Sequence, residues 1–163
     1  MNEMYIVATY TVIDDICEQF LEPPRYNPKM VPSEIVFVAV MAAKYFQNHL
    51  ERALIVLAKC GYIAPHRRLS VSRYNRQLHK HRDTLEMCVN LLLELSRAGE
   101  FFVIDSMPMP VCKRKRARRC RKVSGRMFCG YCAAKKEKFF GWRLHLICDS
   151  EGMPVHFMIL PGG

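Results

Sequence analysis

The sequence predicts an α+β protein with helices first and strands second. Three observations carry this. Up to Gly99 apolar residues recur at three- and four-residue spacing between Pro and Gly stops, from Phe101 onward they alternate, and a block of positive charge interrupts the alternation. The expected division is residues 1–99, helical and helix-turn-helix-like, and residues 100–163, extended, with a basic insertion over 112–136. With 163 residues, half of them hydrophobic and 25% charged, the chain can bury one modest core, which excludes wholesale disorder. The longest uncharged apolar run, Ile35 to Ala43, is far shorter than the roughly 18 residues that span a bilayer. The N-terminus lacks the basic start and small-residue cleavage site of a secretory signal, so the expected location is cytoplasmic, with no membrane partner.

The elements follow in order. Tyr5 to Leu21 reads as a helix with Val12, Ile16 and Phe20 on one stripe, stopped by Pro23 and Pro24. Pro32 and Ser33 open a second helix, with Ser33 as N-cap and Glu34 in the first turn, and it runs to Gly61. Its nearly continuous apolar character marks it as buried or paired. Pro65 breaks the chain, and Ser70 or Ser72 caps a third helix that continues to Gly99. Arg73, Arg76 and Lys80 make its start basic, whereas Leu85, Cys88, Leu92 and Leu95 form a core face. Short helices joined by Gly- or Pro-marked turns, the later one basic at its start, suit a helix-turn-helix that offers this N-terminus to the major groove. Helical packing without a DNA contact explains the same pattern. Phe101 to Asp105 reads as a buried strand delivering a carboxylate at its end or on its face. From Phe139 a hairpin follows, with Phe140, Trp142, Leu144 and Leu146 on one face and Asp149 to Gly152 as its turn.

Charge points to a partner. No acid lies between Asp105 and Glu137, whereas Lys113, Arg114, Lys115, Arg116, Arg118, Arg119, Arg121, Lys122, Arg126, Lys135 and Lys136 bring eleven positive charges. The remaining chain holds 14 basic and 15 acidic residues, so the whole excess of the +10 net charge sits in this segment. A polyphosphate backbone, whose counterions such a block displaces, is the expected partner; a solvated loop without a partner is the alternative.

Two constellations are candidates for chemistry. Asp105 follows four apolar residues, where an uncompensated carboxylate is costly unless it meets a metal or a donor; a cap on the following backbone amides is the other reading. The eight cysteines of the chain include Cys129 and Cys132 at zinc-knuckle spacing. Cys112 and Cys120 precede them at distances a loop can close, so zinc bound by four sulfurs is a candidate beside unpaired thiols. No GxxxxGK[ST], GxSxG or HExxH motif occurs, which argues against nucleotide hydrolysis, serine hydrolysis and zinc proteolysis.

FFVIDSMPMPVC (Phe101–Cys112), a basic stretch, and FFGWRLHLICDSEGMPVHFMILPGG (Phe139–Gly163) resemble the first three strands of the DDE transposase catalytic domain of bacterial insertion sequences. LSVSRYNRQLHKH (Leu69–His81) resembles the helical DNA-binding part of those proteins. The resemblance implies a partial RNase H-like mixed sheet, Asp105 at the position of the first catalytic Asp, and magnesium or manganese held by carboxylates. It implies double-stranded DNA at element ends as substrate, cut and joined by metal-dependent phosphoryl transfer. The family's second Asp and its Glu come after a fourth strand, beyond Pro161-Gly162-Gly163. The expectation is therefore a truncated transposase, inactive alone, with a homo-oligomer as a candidate assembly. A non-enzymatic DNA-binding remnant and a zinc-ordered nucleic-acid-binding protein are the alternatives.

Overall fold

The computed structural model describes residues 2–23, 25–95 and 101–163. Helices come first and strands second, an α+β order. The chain divides into two compact units, Met1–Val89 and Asn90–Gly163. No helix among the described residues is long and apolar enough to cross a membrane.

In the first unit, α1 (Glu3–Phe20) is capped by the Asn2 side chain, which accepts from the Tyr5 N–H at 3.3 Å. Its buried stripe is Ile6, Ile13, Ile16 and Cys17; Val12 and Phe20, expected inside with Ile16, are exposed. The long second helix is two helices, α2 (Pro32–Tyr45) and α3 (Leu50–Lys59). Gln47 and Asn48 take positive φ, and the Asn48 N–H bonds back to the Ala42 carbonyl at 2.9 Å, closing α2 with left-handed residues and no glycine. His49 then caps α3, its Nδ1 accepting from the Arg52 N–H at 3.2 Å. Ser33 is not the N-cap of α2. Val31 holds that position, its N–H donating to Glu34 Oε2 at 3.0 Å, and Ser33 is buried one residue into the helix.

The centre of this unit is α2. Ile35, Val36, Phe37, Val38, Met41 and Ala42 are all buried, as the continuous apolar run requires, and each large one contributes roughly 1.5–3 kcal/mol on leaving water. The third expected helix is also divided, at His81, into α4 (Val71–Lys80) and α5 (Arg82–Leu95). Ser70 is the α4 N-cap residue, without a side-chain hydrogen bond. Thr84 and Cys88 face inward from α5, but Leu92 and Leu95 are exposed, so the core face is shorter than its sequence pattern. Its expected end at Gly99 lies outside the described residues. Cys60 is exposed past the end of α3, whereas Cys17 and Cys88 are buried.

Glu34 is the charged group inside this core. Its Oε1 lies 3.1 Å from Arg67 Nη1, and Arg67 Nε donates to the Lys29 carbonyl at 3.1 Å. Burial pushes the Glu34 carboxyl up, against the Val31 N–H and the Arg67 charge, which pull it down. A raised folded pKa means that this group favours folding most at low pH and loses that contribution as pH rises through the folded value. Arg67→Met should therefore cost about 2–3 kcal/mol at neutral pH, less than a fully buried pair because the guanidinium is partly solvated. The deficit should shrink as pH falls through the carboxylate range and Glu34 protonates. Urea unfolding of both proteins at neutral and acidic pH checks this; a deficit independent of pH would separate Arg67 from Glu34.

The second unit is a sheet built on its longest strand. β1 (Phe102–Lys113) pairs with one edge of β3 (Glu137–Asp149), from Phe102 opposite Asp149 to Lys113 opposite Phe139. The other edge of β3 takes β2 (Cys129–Cys132) at its start and β4 (Pro154–Pro161) over the rest. The mixed sheet implied by the resemblance is antiparallel throughout these four strands, because each runs back along β3 and no crossover returns the chain to the same end. The fourth strand, β2, arises inside the basic insertion. Asp149 fixes the hairpin turn, its Oδ1 accepting from the Glu151 and Met153 N–H groups at 3.0 and 2.9 Å.

β1 departs most from expectation. It runs on through Asp105 for twelve residues, and it is exposed rather than buried, with Val103 64% and Ile104 67% accessible on its two faces. Pro108 and Pro110 are tolerated because, among the described residues, β1 pairs with β3 on one edge only; two residues apart, both positions without an N–H fall on the outer edge. A bulge follows between Pro110 and Cys112. Gly141 faces it, where a Cβ would meet the Val111 nitrogen at 2.7 Å.

Candidate nucleic-acid interface

The basic segment is held against the sheet rather than left as a loop. After β1 the chain enters a 3₁₀ turn, Arg114–Arg119, and a second one, Arg126–Phe128, leads into β2. Phe128 packs edge-on against Trp142 and Phe140, with ring centroids 4.8 and 6.1 Å away. The Gly163 N–H donates to the Met127 carbonyl at 2.8 Å. Gly130 of β2 lies where any Cβ would collide with the Gly162 carbonyl and the Phe139 ring, so the two strands meet at closest approach.

On this frame Lys113, Arg114, Lys115, Arg116, Arg118, Arg119, Arg121, Lys122 and Arg126 are all exposed. Among the described residues the ion pairs are Arg67–Glu34 and Arg82–Asp83, so none of these nine has an acidic partner. A 3₁₀ turn repeats every three residues, which puts Arg116 and Arg119 on one side and Lys115 and Arg118 on another. Arg116 and Arg119 line a hollow of about 380 Å³ together with Cys112 and Cys120.

In the helical unit, Arg73, Arg76 and Lys80 are exposed on α4 and lie on one outward stripe. The opposite side is anchored by Tyr74, fully buried, whose hydroxyl donates to the Ile35 carbonyl at 2.7 Å. Burial raises this phenol's pKa, so it stays a donor.

Asp105 lies opposite Leu146 and shares a sheet face with Met107, Leu144, Phe157 and Ile159. It is exposed and accepts from the Ser106 N–H at 2.6 Å, the local contact expected of a backbone cap. Among the described residues no three His, Cys, Asp or Glu are grouped to hold a metal ion. Cys129 and Cys132 are three apart on β2, whose alternation sets them on opposite faces about 10 Å apart. Zn–S bonds of about 2.3 Å need sulfurs within about 4 Å.

Arg143 and Phe128 escaped the sequence reading. Arg143 Nη1 donates to Ser106 Oγ at 3.4 Å and Nη2 to the Tyr131 carbonyl at 2.9 Å, with the guanidinium 5.7 Å from the Phe139 ring centre. It thus ties β1, β2 and β3 together. Its alternation with Trp142 and Leu144 was visible in the sequence, but a single basic residue on a strand does not distinguish a brace from a solvated side chain. No protein-family model, no curated protein and no solved structure matches this chain.

Proposed function

We propose that the chain belongs to a DDE-type insertion-sequence transposase with an RNase H-like sheet and acts in DNA transposition by binding duplex DNA at the element's ends. The observation that carries the reading is the antiparallel β1–β3–β4 meander with β3 at its centre and one acid, Asp105, on the face of β1. A first catalytic Asp on the first strand of an RNase H-like sheet needs that layout. The unpartnered basic segment supplies the phosphate-binding surface, and the exposed Arg73, Arg76 and Lys80 stripe of α4 supplies a helix with the chemistry for a groove.

Magnesium or manganese does not fit the residues present. Asp105 offers one carboxylate, and among the described residues no three His, Cys, Asp or Glu are grouped for a metal. This favours, as second reading, a remnant that occupies element ends without cutting. The test is selection from a pool of duplexes containing the DNA that flanks the chain's own coding sequence. Terminal repeats should be enriched over random duplex, and should stay uncut with Mg²⁺ or Mn²⁺. Equal recovery of all sequences would overturn the assignment to element ends. Metal-dependent cleavage lost in Asp105→Ala would discard the remnant reading.

A further inference from the structure

Cys112 stands near the end of β1 and Cys120 directly after the first 3₁₀ turn, and the two side chains line one hollow. Both are partly accessible, at the hollow lined by Arg116 and Arg119. Their surroundings differ. The backbone N–H groups of Val123 and Lys122 are directed at the Cys120 sulfur and lower its pKa, with the Lys122 charge adding to them. Burial and the neighbouring Cys120 instead raise Cys112. Cys120 is therefore the more readily ionised of the two.

The remaining cysteines lack this combination. Cys17 and Cys88 also interact, but both are buried in the helical core and Cys17 is pushed up to about 12. Cys129 and Cys132 face opposite sides of β2. Bridged Cα atoms lie within about 7 Å, closer than those two can come without unfolding the strand.

We propose that Cys112 and Cys120 are an oxidisable dithiol that hydrogen peroxide converts into an intrachain disulfide, stapling the basic turn onto the end of β1. The Cys120 thiolate attacks one peroxide oxygen, the O–O bond breaks, hydroxide leaves, and Cys120 becomes a sulfenic acid. The Cys112 sulfur then displaces the sulfenic hydroxyl, forming the S–S bond, and the Cys112 proton leaves with that hydroxyl as water. Peroxide takes up the two electrons of the thiols, and the hydroxide released first is neutralised by the proton Cys120 had given up. The ring so closed contains Lys113, Arg114, Lys115, Arg116, Arg118 and Arg119, so oxidation locks the position of six positive charges. The cross-link stands independently of what those charges bind.

The experiment treats the reduced full chain with hydrogen peroxide, blocks remaining thiols by alkylation, and maps linked peptides against time by mass spectrometry. The expected first product is the Cys112–Cys120 link, reversed by dithiothreitol; a first link between any other cysteines overturns the proposal. In Cys112→Ser, dimedone should trap a sulfenic acid at Cys120, and in Cys120→Ser labelling of Cys112 should be roughly tenfold lower. Equal labelling of the two would overturn the assignment of attacking and resolving sulfur. The mapping of the unaltered chain decides the link itself even where a variant folds poorly.

Discussion

Replacing Arg114, Arg116, Arg118 and Arg119 together by Gln should flatten the salt dependence of duplex binding by about 3.6 units of slope, since each phosphate contact contributes about 0.9. Across a fourfold rise in salt the variant should then lose about 150-fold less affinity than the unaltered chain. The four side chains are exposed and without acidic partners, so their removal relieves repulsion in the free protein and leaves the sheet intact. Sequence preference should survive, because phosphate contacts position the protein whereas base contacts specify the site. Fluorescence anisotropy over a salt series measures the slope, and an unchanged slope would mean that the 3₁₀ turn does not face the DNA backbone.

Tyr74→Ala should cost the helical unit about 3–4 kcal/mol, whereas Tyr74→Phe should cost about 1 kcal/mol, as expected for one buried hydrogen bond with the ring retained. Tyr74 is the one buried residue of α4, and its hydroxyl reaches the Ile35 carbonyl in the central helix. Losing the ring removes what holds α4 against α2. Urea denaturation followed by circular dichroism gives both values. Duplex affinity measured where both proteins are folded should fall in the Ala variant, because Arg73, Arg76 and Lys80 lose the anchored helix that presents them.

The order of helices and strands, the burial of α2 and the hairpin turn at Asp149 could all be read from the sequence, because Pro stops, a continuous apolar run and strict alternation each have one dominant structural meaning. The break at residues 46–49 could not. Gln47 and Asn48 adopt left-handed backbone without a glycine, and apolar residues on both sides keep the helical pattern going. The α1 stripe was misplaced because Val12 and Phe20 are as apolar as Ile6 and Ile13; burial distinguishes them, composition does not. The apolar run of β1 stops at Asp105 in the sequence, and only its pairing with β3 shows that the strand continues through Pro108 and Pro110. Among the site residues, the basic segment declared itself through charge, while the cysteine spacing pointed to a zinc knuckle and gave no sign that Cys129 and Cys132 stand on an extended strand.

The length of β1 has a metric consequence. Asp105 and Cys112 are seven residues apart on one strand, which at about 3.3 Å per residue separates the carboxylate from the root of the basic turn by about 23 Å, slightly less because of the bulge. B-DNA rises about 3.4 Å per base pair, so this span equals about seven base pairs, two-thirds of a helical turn. A duplex lying along β1 and gripped through its phosphates at the basic turn would present to Asp105 a groove rotated well away from the gripped one. The strand would act as a ruler, and inserting or deleting two residues in it would shift the register between grip and carboxylate by about 6.6 Å, close to two base pairs.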